Sequence, residues 1–203
     1  KSLQASLIAE RFGMPLVSSG EAFREEVAER SALGDLASEY VDAGMFAPDE
    51  LANATLGRKL KALDVERGFV LDGYPRNVEQ AEVLDRASRV TLAIQIKISD
   101  NVAVKRLAGR LVCRGCRTIL HRDGMVSSSG ARPCPLCGGK LAPRPKDEEE
   151  TVRRRLAAYH FMTEPLSGYY RQRGVLLAVN GEQTVAELFE ELTRKLAKLG
   201  FVA

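Results

Sequence analysis

Four cysteines fall in two pairs, Cys113-x2-Cys116 and Cys134-x2-Cys137. Two such knuckles can wrap four thiolates round one tetrahedral Zn2+, and this spacing is the strong form of a structural zinc signature. Two disulfides would use the same four residues. They suit an exported mini-domain, however, and no apolar export segment is read near the start of the chain. His121 lies inside the cysteine segment, but four thiolates already complete a tetrahedron. His160 falls within a helical pattern and reads as a surface residue.

A second constellation follows the apolar run Gly68-Phe69-Val70-Leu71, which stops at Asp72-Gly73-Tyr74-Pro75-Arg76. In open α/β sheets, ligands bind beyond the carboxyl ends of strands, where Asp72 and Arg76 would sit together. A strand-end carboxylate can hold Mg2+ through water, and an arginine fork suits phosphate. A structural turn closed by an ion pair is the competing reading of these five residues. Lys1-Ser2 opens a helical pattern and matches the tail of G-x-x-x-x-G-K-[ST], in which backbone amides cradle phosphates and the lysine reaches the terminal ones. Two residues by themselves carry almost no signal, and in an arbitrary protein an exposed terminal lysine is the better reading of them.

Arg24, Arg76, Arg106, Arg110, Arg144 and Arg155 lie at element ends or flank the cysteine region. Phosphoryl transfer spreads negative charge over several oxygens and needs cations of this kind around it. Arg153 and Arg154 read as ordinary helix-surface residues, four positions after Glu149 and Glu150.

Alternating helices and short apolar strands must position these residues, which indicates an α/β fold with a parallel sheet. Helix is predicted from Ser2 to Phe12, from the Ser18-Ser19-Gly20-Glu21 start to about Arg30, over 35–43, and from Pro48 to about Val65. Strand is predicted at 16–17, 68–71, 90–98 and 174–179. Further helices are predicted at 78–86, 100–110 and 184–199, with one long charged helix from Asp147 to about Arg173. Between Leu111 and Pro145, Cys, Gly, Pro, Ser and Arg replace the residues that could form a core, so metal must substitute for one there.

The 203 residues, 45% of them hydrophobic, suffice for one sizeable domain with an inserted subdomain. A formal charge of +3 gives no sign of a nucleic-acid binder, and a zinc centre of four thiolates would bring the molecule near neutrality. No apolar run approaches the ~20 residues of a membrane span. The expectation is therefore a cytoplasmic protein, a monomer, with neither a nucleic-acid nor a membrane partner.

Taken in order, these motifs resemble those of adenylate kinases over nearly the whole chain. The most specific piece is Val70-Leu71-Asp72-Gly73-Tyr74-Pro75-Arg76 with Gln80 after it. It is supported by Lys1 and Gln4, Ser19-Gly20-Glu21, Arg24, Gly109-Arg110, Arg144 before an acidic run, Glu149-Glu150-Thr151-Val152 and Arg155. The resemblance implies a P-loop kinase-like parallel sheet flanked by helices. It places a core over 1–110 with a helical nucleoside-monophosphate-binding insert at about 19–48, a small zinc-ribbon-like lid over 111–146, and the rest of the core over 147–203. A strand and a glycine loop are then expected ahead of Lys1.

The activity implied is reversible phosphoryl transfer from MgATP to AMP, giving two ADP. Carried over by position, Lys1, Ser2, Leu3, Arg106, Arg110, Ile119, Leu120 and Gln183 would face ATP. Ser19, Arg24, Met45, Phe46, Ala47, Gly73, Tyr74, Pro75, Arg76, Gln80, Arg144 and Arg155 would hold AMP. Lys1, Arg76, Arg110, Arg144 and Arg155 would stabilise the transferring group, Asp72 would hold Mg2+ through water, and Cys113, Cys116, Cys134 and Cys137 would bind Zn2+. A metal-stapled lid closing over the nucleotides would exclude water. Departures from the family pattern are Ser2 for glycine, Leu3 for threonine, Glu21 for aspartate, Leu120 for an aromatic residue, and Lys146 for the first aspartate of a pair. The rival readings are a kinase for another nucleoside monophosphate, discriminated by Gln80, and a noncatalytic zinc-containing interaction protein on the same scaffold.

Overall fold

A computed structural model describes residues 1–43, 45–63, 68–122, 126–127, 130–131, 133–143 and 147–202. In chain order the elements are α1 (Ser2–Phe12), β1 (Leu16–Ser18), α2 (Ser19–Ala28), α3 (Ala32–Ala43), α4 (Asp49–Lys61), β2 (Val70–Asp72), α5 (Val78–Ala87) and β3 (Ala93–Lys97). There follow α6 (Asp100–Ala108), β4 (Arg110–Cys113), β5 (Ile119–His121), β6 (Val126–Ser127), β7 (Gly130–Ala131), β8 (Leu141–Pro143) and α7 (Glu149–Ala158). A π-helical stretch (Tyr159–Thr163), α8 (Leu166–Gln172), β9 (Leu176–Asn180) and α9 (Val185–Lys198) complete the chain.

These elements divide into two compact units, one formed by Lys1–Lys97 with Met162–Ala203 and the other by Ile98–Phe161. In the first unit the expected parallel α/β arrangement is present. β1 pairs with β2 from Leu16↔Val70 to Ser18↔Asp72, and β3 pairs with β9 from Ala93↔Leu176 to Lys97↔Asn180, both in parallel. Parallel neighbours need crossover helices, and the chain supplies them between each pair.

The helices close round these strands because each presents an apolar stripe. Leu188, Leu192 and Leu196 recur at four-residue spacing along α9 and bury against Ile8 of α1 and Val179 of β9. A capping box fixes the start of α9, with Thr184 and Glu187 exchanging side-chain and backbone hydrogen bonds. Val17, Ala52, Leu56, Tyr74 and Leu84 form a second core among β1, α4, α5 and the turn after β2. Helix α1 ends at Gly13, whose left-handed backbone (φ 61°) turns the chain into β1. Helices α2 and α4 are further tied by Lys59 to Glu25 at 2.5 Å and by Arg58 to the buried Glu26 at 2.5 Å.

The second unit holds α6, α7 and the cysteine segment. β4 is the middle strand of an antiparallel sheet in the order β5-β4-β8, and Leu111, Cys113, Cys134 and Leu141 form its small core. One sequence expectation is corrected here. The helix predicted without a break from Asp147 to about Arg173 is interrupted, widening to a π-helical stretch at Tyr159–Thr163 before restarting at Leu166. Pro165 is the physical reason: it has no N–H to donate, its ring crowds the carbonyl four residues back, and it disfavours helical geometry at Glu164.

Candidate active site and metal centre

At the carboxyl end of β2 the chain turns through Asp72-Gly73-Tyr74-Pro75-Arg76. Gly73 takes a φ of 84°, a left-handed conformation that a side chain would strain. The turn exposes the Gly73 carbonyl, which accepts from the Ser19 hydroxyl at 2.9 Å and from Arg76 Nε at 2.7 Å. Ser19, the first residue of α2, is thereby held against β2's end, as the register Ser18↔Asp72 requires. The Arg76 guanidinium also lies over the Phe46 ring, 4.3 Å from its centroid, a cation–π contact that orients the fork.

Lys1 and Asp72 form an ion pair through Nζ and Oδ1. Burial pushes the Asp72 carboxyl up, but the Lys1 ammonium, with hydrogen bonds from Lys1 and Ser2, outweighs that and holds it below its ordinary value. Asp72 is therefore a carboxylate at neutral pH, an oxygen donor of the kind that suits Mg2+.

Gln80 lies on the first turn of α5, and its backbone N–H is accepted by the N-cap Asn77 side chain at 2.8 Å. Its side-chain oxygen accepts from the Arg76 backbone N–H at 2.8 Å, and its Nε2 donates to Asp49 at 2.8 Å. The Tyr74 hydroxyl donates to Asn53 at 2.7 Å; burial first, and then the Asp49 charge, push it up to about 12.

The structure thus brings together Lys1 with Asp72, Ser19 with Gly73, and Phe46, Gly73 and Gln80 with Arg76. Arg24 is exposed one turn into α2, and Met45 is exposed while Ala47 is half-buried. Pro75 follows Tyr74 through a cis peptide. Leu3 is exposed beside Ser2 at the start of α1, whose buried Gln4 donates to the Val185 carbonyl at 2.8 Å. The Gln183 side chain donates to the Asn180 carbonyl at 2.8 Å and to Glu191 at 2.5 Å.

In the second unit, Arg106 lies in the last turn of α6, and Arg110 opens β4 opposite His121 of β5. Ile119 is exposed on β5, while Leu120 packs against the small core. Arg155 on α7 faces the buried Asp147 at 3.6 Å. Arg144 and Lys146 lie outside the described residues.

The sulfurs of Cys113, Cys116, Cys134 and Cys137 all lie within 4.8 Å of one another. A tetrahedron with Zn–S bonds of about 2.3 Å sets its sulfurs roughly 3.8 Å apart. Cys113 to Cys137 is 3.4 Å and Cys116 to Cys134 is 3.7 Å. None of the four is in a disulfide. The donor set and its spacing fit one Zn2+.

The adenylate kinase family model matches residues 1–175. The adenylate kinase of Symbiobacterium thermophilum is 40% identical over 197 residues, which cover 95% of this chain and 91% of that protein. Those of Archaeoglobus fulgidus (36% over 204 residues, 98% and 94%) and Caldicellulosiruptor saccharolyticus (34% over 208 residues, 97% and 93%) are similar throughout.

This chain belongs to the adenylate kinase family. Sequence reading of that family likeness missed Asp49, Asn53 and Asn77, which surround Gln80 and Tyr74. Asn77, three residues before Gln80, carried a readable signal as an N-cap. Asp49 read only as the acidic start of α4. Chemically, the turn after β2 offers a carboxylate and a guanidinium, and Lys1 ahead of α1 brings an ammonium to that carboxylate. That set suits binding of phosphate and its metal, the positioning and charge stabilisation on which phosphoryl transfer depends.

Proposed function

We propose that the protein transfers the terminal phosphoryl group of MgATP to AMP, reversibly and in line, to give two ADP. The observation that carries this reading is the turn after β2, where Lys1 meets the ionised Asp72 and the Arg76 fork is fixed between the Gly73 carbonyl and the Phe46 ring. Such a reaction proceeds without a covalent intermediate and is accelerated by positioning and charge stabilisation.

On this reading Lys1, with Ser2 and Leu3 at the start of α1, meets the ATP phosphates. Arg106, Arg110, Ile119, Leu120 and the Gln183 backbone complete ATP recognition. Ser19, Arg24, the backbone of Met45, Phe46 and Ala47, Gly73 to Arg76, and Gln80 hold AMP, with Arg144 and Arg155 on the phosphates. Lys1, Arg76, Arg110, Arg144 and Arg155 spread the charge of the transferring group. Asp72 would hold, through water, the Mg2+ that neutralises phosphate charge when MgATP is bound.

We infer a functional division into a core over 1–110 and 147–203, a monophosphate-binding insert at about 19–48 and a zinc lid over 111–146. Cys113, Cys116, Cys134 and Cys137 would hold the Zn2+ that keeps this coreless segment folded. We infer a cytoplasmic monomer without nucleic-acid or membrane partners. Four cysteines outside any disulfide suit a reducing compartment, and no helix among the described residues is long and apolar enough to cross a membrane.

Replacing Arg76 tests the assignment. Arg76→Lys keeps a cation but loses the fork, and should lower kcat by roughly 10²-fold or more, with a smaller change in the KM for ATP. A kcat within a factor of two of the parent would remove Arg76 from the transition state.

A further inference from the structure

We propose that Asp49 is a specificity-determining positioning residue, which fixes the orientation of the Gln80 amide so that its free edge matches adenine and opposes a 6-oxopurine. The inference rests on the reading of Gln80 as the residue that meets the AMP base, and it explains what makes that residue selective.

A glutamine amide has two faces of opposite polarity on one nearly symmetric plane, so left to itself it can present either O/N order by a half-turn. Here both neighbours have a single polarity. The Arg76 backbone N–H can only donate, and it donates to Gln80 Oε1 at 2.8 Å. The Asp49 carboxylate accepts through both of its oxygens, and its Oδ1 accepts from Gln80 Nε2 at 2.8 Å. A turned amide would set N–H against N–H on one side and oxygen against carboxylate on the other. The second carboxylate oxygen, Oδ2, accepts from Asn77 Nδ2 at 2.7 Å, and Asn77 Oδ1 in turn accepts from the Gln80 backbone N–H at 2.8 Å. Asp49 therefore holds both the side chain and, through Asn77, the first turn of the helix that carries it.

After these bonds the Gln80 amide retains one lone pair on oxygen and one N–H on nitrogen. Adenine offers an acceptor at N1 beside a donor at N6, complementary to that remaining pair. A 6-oxopurine offers the reverse, a donor at N1 beside an acceptor at O6, and would need the turned amide. Discrimination is then a property of the unpaired polar atoms that the wrong base would create, the strongest form of selectivity available to a hydrogen-bonding site. Gln80 is only 3% exposed, so water compensates poorly for a mismatch there.

The test compares kcat/KM for AMP with that for inosine monophosphate in the full-length protein and in Asp49→Asn, Asp49→Ser, Asp49→Glu and Gln80→Ala. In Asp49→Asn a single carbonyl oxygen replaces two acceptors, so Gln80 and Asn77 compete for it and the amide is no longer held. The preference for AMP should fall on the order of tenfold, with the KM for ATP unchanged. Should Asp49→Asn be too unstable to assay, Asp49→Ser should lower the preference while Asp49→Glu, still acceptor-only, retains most of it. A purely structural role for Asp49 would lower stability and leave the preference intact, and that result overturns the proposal. If Gln80→Ala abolishes the preference while the Asp49 variants keep it, Asp49 loses its role and Gln80 keeps its own. If no variant changes the preference, the reading of Gln80 falls as well.

Discussion

The Ser19 hydroxyl donates to the Gly73 carbonyl at 2.9 Å, and a β-carbon on Gly73 would stand 2.5 Å from that same hydroxyl oxygen. Close approach and a φ of 84° both demand glycine at this one position. Gly73→Ala should destabilise the protein by about 1–3 kcal/mol and raise the KM for AMP more than that for ATP, because Ser19 and Arg76 share the displaced carbonyl. Denaturant titration and initial rates measure the two effects; an alanine variant with unchanged stability and KM would show that the turn relaxes freely.

Zinc should be structural and singular. Treatment with a chelator at neutral pH should release one metal per chain and lower the thermal midpoint, because the small core of Leu111, Cys113, Cys134 and Leu141 is too slight to stand alone. Metal analysis together with a melting curve decides it. A metal-free protein that melts at the same temperature would contradict the tetrathiolate reading.

Asp72 and Lys1 give a pH dependence with a defined sign. The folded-state value of Asp72 is depressed, so its contribution to stability is fully present above the unfolded value of about 4 and is lost as pH falls through the lower folded one. The stability gap between the parent and Asp72→Asn should therefore shrink on acidification below about pH 4. Lys1 is 64% exposed, so added salt should shrink the gap further. Asp72→Asn should also lower kcat by roughly 10²-fold. A gap that widens on acidification would reverse the assignment.

Local periodicity carried much of the fold. The spacing of Leu3, Leu7, Ile8 and Phe12 marks α1 to its observed ends, since an amphipathic helix stopped by a left-handed glycine is written wholly within one segment. The predicted strand over 90–98 is observed only at Ala93–Lys97, because strand ends depend on where β9 stops pairing and not on apolar content alone. Pro165 is a legible breaker that the reading of 147–173 as one helix left out of account. In the site, the Asp72–Arg76 turn and the four cysteines were readable because strand, turn and knuckle are contiguous. The bond from Gln80 to Asp49 was not readable, since the partners are 31 residues apart and meet only through the packing of α4 against α5.

The most direct measurement is the stoichiometry of product formation by the full-length protein supplied with MgATP and AMP. The account predicts two ADP for each AMP consumed, dependence on Mg2+, and slower turnover when another nucleoside monophosphate replaces AMP. No ADP under these conditions, or equal rates with every monophosphate, would contradict it.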